Sequence, residues 1–341
     1  MSSRSAEPVA SAIPERLPSR WALGAAFAVI YLVWGSTFLG IRVAVETLPP
    51  LSMAAIRFLV SGGVLLLVSS RVRPRPTLPQ WRNAAVVGAL FFLVNHGLVS
   101  SAARFIPSSL SCLIVATEVP IIALLSSALL PNQPLTRAGL VGAVLGVAGV
   151  LCLFVGNSWS GGAVNLFACL AVLGASLSWS TGAVLSQRMQ FPPDPILRAA
   201  MQMTCGAVLL SAASVMRGEH RTLTAAAVSG RSLLALAYLI TFGSVLAFAC
   251  YSYLLKHVRT DTVATHVFVN PLVAVALGAR LGGEQLRPAH LVSGLLILAS
   301  VSVITLGQRR AIVRESITAN RRAGVRHTLI AQSACKEMFD A

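Results

Sequence analysis

The feature that most constrains this chain is a hydrophobic plan written twice. Ten apolar stretches run near residues 22–42, 51–70, 83–103, 107–130, 138–156, 164–186, 197–216, 232–255, 262–281 and 289–307. Each approaches the ~20 residues that carry a helix across a bilayer. The second five repeat the first five. Trp34 pairs with Trp179, and Ala54-Ala55 with Ala199-Ala200, at an offset of 145 residues. Pro120 pairs with Pro271, Leu140 with Leu291 and Ala148 with Ala299 at an offset of 151, so six additional residues fall most simply in the polar stretch 217–231. An odd number of spans per copy makes the copies enter the membrane from opposite sides. The expected fold is all-α and integral to the membrane, with ten transmembrane helices in two inverted five-helix repeats. Secondary transporters use this plan and place their site near the midplane between the halves. The expected divisions are a tail over 1–20, repeats over 21–157 and 163–307, and a tail over 308–341.

Composition agrees. Residues are 55% hydrophobic and only 11% charged, against about a quarter charged in an ordinary soluble domain. Outside the apolar stretches no polar segment exceeds the tails, which leaves no room for a soluble catalytic domain. The net charge of +16 suggests nucleic-acid chemistry until its placement is followed. With a cytoplasmic N-terminus, 19 of the 27 Lys and Arg residues fall on the inner side, and six fall outside: Arg104, Arg217, Arg221, Arg231, Arg280 and Arg287. Arg42 and Arg57 lie within spans. That asymmetry follows the positive-inside rule and predicts a plasma- or inner-membrane protein with both termini cytoplasmic. The basic stretch 217–231 fits an external loop least well. Anionic lipid headgroups are the expected partners of the inner charge. Nucleic acid is not expected, since no aromatic-rich basic groove accompanies it.

The first twenty residues lack the apolar core and cleavage site of a signal peptide, so the span after them is expected to act as an uncleaved anchor. The basic C-terminal tail is expected to be disordered or to lie on headgroups. Cys112, Cys152, Cys169, Cys205, Cys250 and Cys335 form no C-x-x-C or Cys/His cluster. They read as packing residues, with no metal or other cofactor expected beyond a coupling proton.

Trp21, Trp81 and Trp159 stand at span ends, as interfacial anchors do. Trp34 and Trp179 lie deep in their spans, beside Gly35-Ser36-Thr37 and Ser180-Thr181-Gly182. They serve either helix packing or a cavity wall. The run Leu32-Val33-Trp34-Gly35-Ser36-Thr37-Phe38, with Ile41-Arg42, Leu48-Pro49-Pro50-Leu51 and Ala54-Ala55-Ile56-Arg57-Phe58, resembles the opening of the drug/metabolite transporter superfamily. Its nearest subgroup is the ten-helix EamA type. Val269-Asn270-Pro271-Leu272-Val273-Ala274-Val275, followed by Gly282-Gly283-Glu284, is similar to that type's ninth span and its Gly-Glu turn. The resemblance runs from about residue 20 to 307 and implies export of small metabolites or toxic compounds, often amino acids. The chain departs from the pattern at Pro131-Asn132-Gln133-Pro134, where such a turn carries Gly-Glu, and at Glu118, where an uncharged residue is common.

Charges inside spans are costly and face a cavity or a partner. Glu118 lies near the middle of the fourth stretch and Arg57 some seven residues into the second, a depth difference of about 6 Å at 1.5 Å per residue. That brings an ion pair across adjacent helices within reach. The alternatives are a proton- or substrate-binding carboxylate and a carboxylate in a wet crevice. Asn95 and His96 can hydrogen-bond, and His96 can titrate near neutrality. His266 and Asn270 share a helix face with Thr262. Tyr251 is the tyrosine of its span favoured for the cavity, over Tyr253. Pro120 and Pro271 are expected to kink their helices and free the carbonyls of Ala116 and Val267, with the solute between the fourth and ninth spans. Gly142-x-x-x-Gly146, flanked by Gly139 and Gly149, makes a small-residue ridge. It assigns the fifth span to scaffold or oligomer contact, compatible with a homodimer.

The leading function is a secondary-active exporter of small organic solutes, not an enzyme. The rival from another class is a membrane enzyme acting on a lipid-like substrate, which would need convergent acid, base, nucleophile or metal groups. Within transport the rival is a sugar-phosphate or nucleotide-sugar carrier. Phosphates call for Arg or Lys in the cavity, and Arg57 is the one well-buried candidate, so neutral, zwitterionic or cationic substrates are favoured.

Overall fold

The structure, a computed structural model, describes residues 19–131, 135–159, 165–224, 226–258, 260–263, 265–284, 288 and 290–307. The expectations for both tails, Cys335, Arg259, Arg287, the side chain of Trp159 and the 132–134 part of the Pro-rich turn lie outside what is described. No strand occurs among the described residues. Among the described residues, eight helices are long and apolar enough to cross a membrane. They are spans one (Arg20–Ala44), two (Pro50–Arg71), three (Leu78–Ala102), four (Ser108–Leu129), six (Leu166–Ser186), seven (Pro195–Met216), eight (Gly230–His257) and ten (His290–Gly307). Shorter apolar helices, Arg137–Cys152 and His266–Arg280, supply spans five and nine.

Helix ends fall where the chain offers caps for the free N–H groups of a first turn. Thr77 and Gln80 form a capping box at span three. The side chains of Asn165, Asp194 and Ser229 accept from Ala168, Leu197 and Ser232 at 3.0, 2.8 and 3.1 Å, starting spans six, seven and eight. Span seven ends before Gly218, whose φ of 75° suits glycine and turns the chain out of the helix.

The repeats lock together through spans two and seven, which are equivalent by the 145-residue offset and pack along their length. Gly88 of span three meets the backbone of Gln202 and Gly206, so spans three and seven cross with no room for a side chain between them. Phe58, Phe92, Met203 and Leu210 fill the core at this junction. The glycine ridge of span five is likewise used within the chain. Gly142 and Gly149 abut span ten, where Ser300 and Ser293 donate to their carbonyls. Leu140, Val141, Val144, Val147 and Leu151 form its exposed apolar face. The ridge is therefore a contact between repeats and not a free surface for a second copy.

Two irregularities shape the interior. Span four breaks at Ala116-Thr117, between helices Ser108–Val115 and Glu118–Leu129. This is one turn before Pro120, as the missing proline N–H requires. Span nine breaks earlier than expected. Its helices Thr260–Val263 and His266–Arg280 are separated just before His266, and Pro271 sits inside a continuous helix. The freed carbonyl near Val267 thus does not mark the break in that span. Spans three and eight each carry an eight-residue π-helical segment, Ala89–His96 and Leu239–Leu246. The two occupy matching places in the repeats, 150 residues apart. Such segments re-aim side chains and concentrate at functional sites.

Candidate functional site

Arg57 is 4% exposed in span two. The π segment of span eight turns Ser244 toward it, and Arg57 Nε donates to Ser244 Oγ at 2.9 Å. Its guanidinium lies over the Phe58 ring, 4.7 Å from the centroid. Glu118 is not its partner. The three ion pairs among the described residues are Arg42–Glu284, Arg231–Glu46 and Lys256–Asp194. The expected Arg57–Glu118 pair fails because similar depth is not lateral proximity. Span two packs mainly on spans seven, eight and three, and span four mainly on spans six, nine and five. Glu118 instead opens the second helix of the broken span four, where its own carbonyl accepts from Ser180 Oγ at 3.2 Å. At a helix N-terminus the macrodipole favours its negative charge.

A chain of ring contacts runs from Phe58, beside Arg57, to Trp179, next to the Ser180 that meets the Glu118 carbonyl. Phe58 meets His96 edge-on at 4.6 Å and Phe92 at 4.6 Å. His96, whose Nδ1 is 2.9 Å from the Phe91 carbonyl, stands 6.1 Å from Trp179. Trp179 stacks on Phe91 at 4.1 Å. Trp34, the repeat equivalent of Trp179, gathers a second group. It lies 5.6, 5.3 and 4.9 Å from Phe248, Tyr251 and His266. Phe248 also packs against the Phe58–Phe92 core and so joins the two groups. Trp34, Trp179, His96, Glu118, Tyr251, His266 and Asn270 lie deep in the bundle, yet each remains only half-buried.

Other expected residues do structural work here. Asn95 is buried and donates to the Ala175 carbonyl at 2.9 Å, pinning span three to span six. With its amide oriented to suit its neighbours, Asn270 donates to the carbonyls of Tyr31 and His266 at 3.2 and 3.1 Å. The polar face of span nine thus rests on span one. Tyr253 turns to His257, 4.4 Å away, and leaves Tyr251 beside Trp34. Pro120 and Pro271 are buried, Pro120 against Gly146 of span five.

Sequence reasoning did not foresee the polar seal at one end of the bundle, which we term the first face. Glu284 follows span nine and caps span four. Its carboxylate accepts from the N–H and hydroxyl of Ser108, both at 2.7 Å, and of Ser109, at 3.1 and 2.6 Å, and it pairs with Arg42. Burial alone would raise the Glu284 pKa, but the hydrogen bonds from Ser109 and Ser108 outweigh it and hold the carboxyl below its ordinary range. Glu219, in the basic stretch between spans seven and eight, caps span two in the same way. It accepts from the N–H groups of Leu51 and Ser52 at 3.3 and 2.7 Å. Arg104 donates to the Val45 and Leu48 carbonyls, Ser232 donates to that of Val43, and Thr47 meets Ser229. Most of these bonds cross between the repeats. Near the opposite end, Asn83 donates across the repeats to Gln190 at 3.0 Å, whereas Lys256–Asp194 joins parts of one repeat. The Gly282-Gly283-Glu284 turn was a visible signal for Glu284. Nothing local marked Glu219 as a cap.

Ten apolar spans in two five-span copies, enclosing charges and rings at mid-depth, define a multi-pass membrane protein of the transporter class. A model of the EamA-like transporter family matches residues 20–155 and again 166–306. The chain belongs to that family, within the drug/metabolite transporter superfamily. It is 37% identical over 287 residues to the uncharacterized inner membrane transporter YedA of Escherichia coli (strain K12), covering 84% of this chain and 90% of that protein. A Salmonella typhimurium protein named "Probable amino-acid metabolite efflux pump" is 26% identical over 300 residues, 82% of this chain and 94% of its own length. A solved crystal structure shares the fold at a TM-score of 0.57 and 22% identity, covering 86% of this chain and 100% of that one.

Proposed function

We propose that this protein is a secondary-active exporter of small zwitterionic, neutral or cationic metabolites, of the amino-acid type, working by alternating access. The observation that carries this reading is the combination of two mid-depth charges, Arg57 and Glu118, that form no ion pair among the described residues, with half-buried rings from both repeats. A charge held at that depth without a counter-charge is costly, which favours a site that solute, water or a proton completes. The rings suit the apolar body of such a solute. The name of the Salmonella relative points the same way for that protein.

Sidedness follows from the charge count, which makes the first face external and both termini cytoplasmic. The carboxylate caps then close the external side, and the cycle needs them to part. Overexpression in cells preloaded with labelled leucine, lysine or phenylalanine should speed efflux of at least one of them in a gradient-dependent manner. Unchanged efflux of all three, with the protein present in the membrane, would refute the amino-acid reading.

A further inference from the structure

Arg57 has more donors than the fold uses. A guanidinium carries five N–H donors and stays charged at every physiological pH. Only Nε is spent, on the neutral hydroxyl of Ser244. Neither Nη atom has a hydrogen-bond partner among the described residues, and neither is fully enclosed. The side chain is nonetheless 4% exposed and lies mid-bundle, not at a headgroup. Stacking on Phe58 offsets only part of what burying an unpaired ion costs. The two free Nη atoms present the fork that a carboxylate fills with two parallel bonds. Ser244 and Phe58 fix the plane of that fork from its far edge and one face. Gly243 leaves space beside it, since a Cβ there would stand 3.3 Å from Nη2.

We propose that Arg57 is the carboxylate-binding residue of the transport site, and that the solutes carried by this protein bear a free carboxylate. The proposal rests on the exporter reading and narrows it. One cation flanked by a neutral hydroxyl and a ring matches a monoanion. A phosphate dianion would call for a second cation, and Arg42, toward the first-face end of span one, is engaged by Glu284.

The test uses the full chain in lipid nanodiscs, with isovalerate, its uncharged amide isovaleramide, leucine and leucinamide as probes. Charge-assisted hydrogen bonds of this kind discriminate by roughly ten- to a hundred-fold. Wild type should therefore bind each carboxylate that much more tightly than its amide. Arg57→Gln should erase the preference, and Arg57→Lys should keep part of it by charge alone. Ser244→Ala, which leaves the guanidinium in place but unoriented, should cut the preference several-fold and guards against misfolding of Arg57→Gln. Equal binding of acid and amide by wild type, or a preference that survives in folded Arg57→Gln, overturns the proposal. A preference that depends on Arg57 while cells export no amino acid leaves the carboxylate site standing and removes the amino-acid reading.

Discussion

Glu118 shows what a single residue can and cannot reveal. A carboxylate in an apolar run stands out in any reading of this chain, and its depth follows from counting residues. Its surroundings do not. In the structure it opens the helix Glu118–Leu129, beside the break that Pro120 imposes on span four. The helix dipole offers it about 0.3–1 kcal/mol, less than an unpaired buried carboxylate costs. Water, a proton or a cationic group on the solute would offset the difference, and in the proposed cycle it is the proton or the solute that does so. Glu118→Gln should reach the membrane in normal amount and lose gradient-driven efflux. Efflux with an unchanged rate and pH dependence in that variant would reduce Glu118 to a structural role. Arg57 was equally visible, yet the ion pair with Glu118 that its depth allowed does not form, because depth along the membrane normal says nothing about which helices are neighbours.

At the scale of elements, the two carboxylate caps matter most. Spans two and four begin with Pro50-Leu51-Ser52 and Ser108-Ser109, and their first-turn N–H groups are satisfied from the other repeat by Glu219 and Glu284. Each hydrogen bond to a charged acceptor contributes about 1.5–3 kcal/mol, so the caps bind the repeats together at the first face. Glu284→Gln should loosen that face. Leu110, 1% exposed just inside the cap, reports on it. A Leu110→Cys probe in a cysteine-free background should react several-fold faster with an impermeant thiol reagent when Glu284→Gln is added; equal rates would show that the cap does not hold the face shut. The pH effect has a definite sign. Because the Glu284 pKa is lower in the folded protein than in the unfolded chain, its stabilisation is present above the unfolded value, about 4.3. It is lost as pH falls through the lower folded value. Closure should weaken in acid, and the weakening should be absent from Glu284→Gln. The π-helical segments of spans three and eight belong to this scale as well. Hydropathy does not reveal their geometry, since Ala89–His96 and Leu239–Leu246 are simply the most apolar parts of their spans, which an α-helix would bury equally well.

For the whole molecule, the strongest expectation is sidedness. An odd number of spans per copy and the 19-to-6 charge asymmetry lead us to expect the first face outside. Single cysteines at Ser160→Cys and Ser316→Cys, each in a cysteine-free background, check it in intact cells. An impermeant reagent should label the first and not the second, and the reverse pattern would invert the topology.

The sequence by itself determined the number of spans and their doubling, and it gave an expected depth for each charge within a span. All of these are properties of position along the chain, and crossing a bilayer converts that position directly into depth. Tertiary structure decided who stands beside whom. It gave Arg57 to Ser244 and not to Glu118, spent the span-five glycines on span ten, and recruited Glu219 and Glu284 from distant turns to cap helices of the other repeat. Those pairings depend on how ten apolar cylinders pack sideways. Hydrophobicity cannot rank the alternatives in an apolar solvent, where small residues, polar caps and helix irregularities select the neighbours.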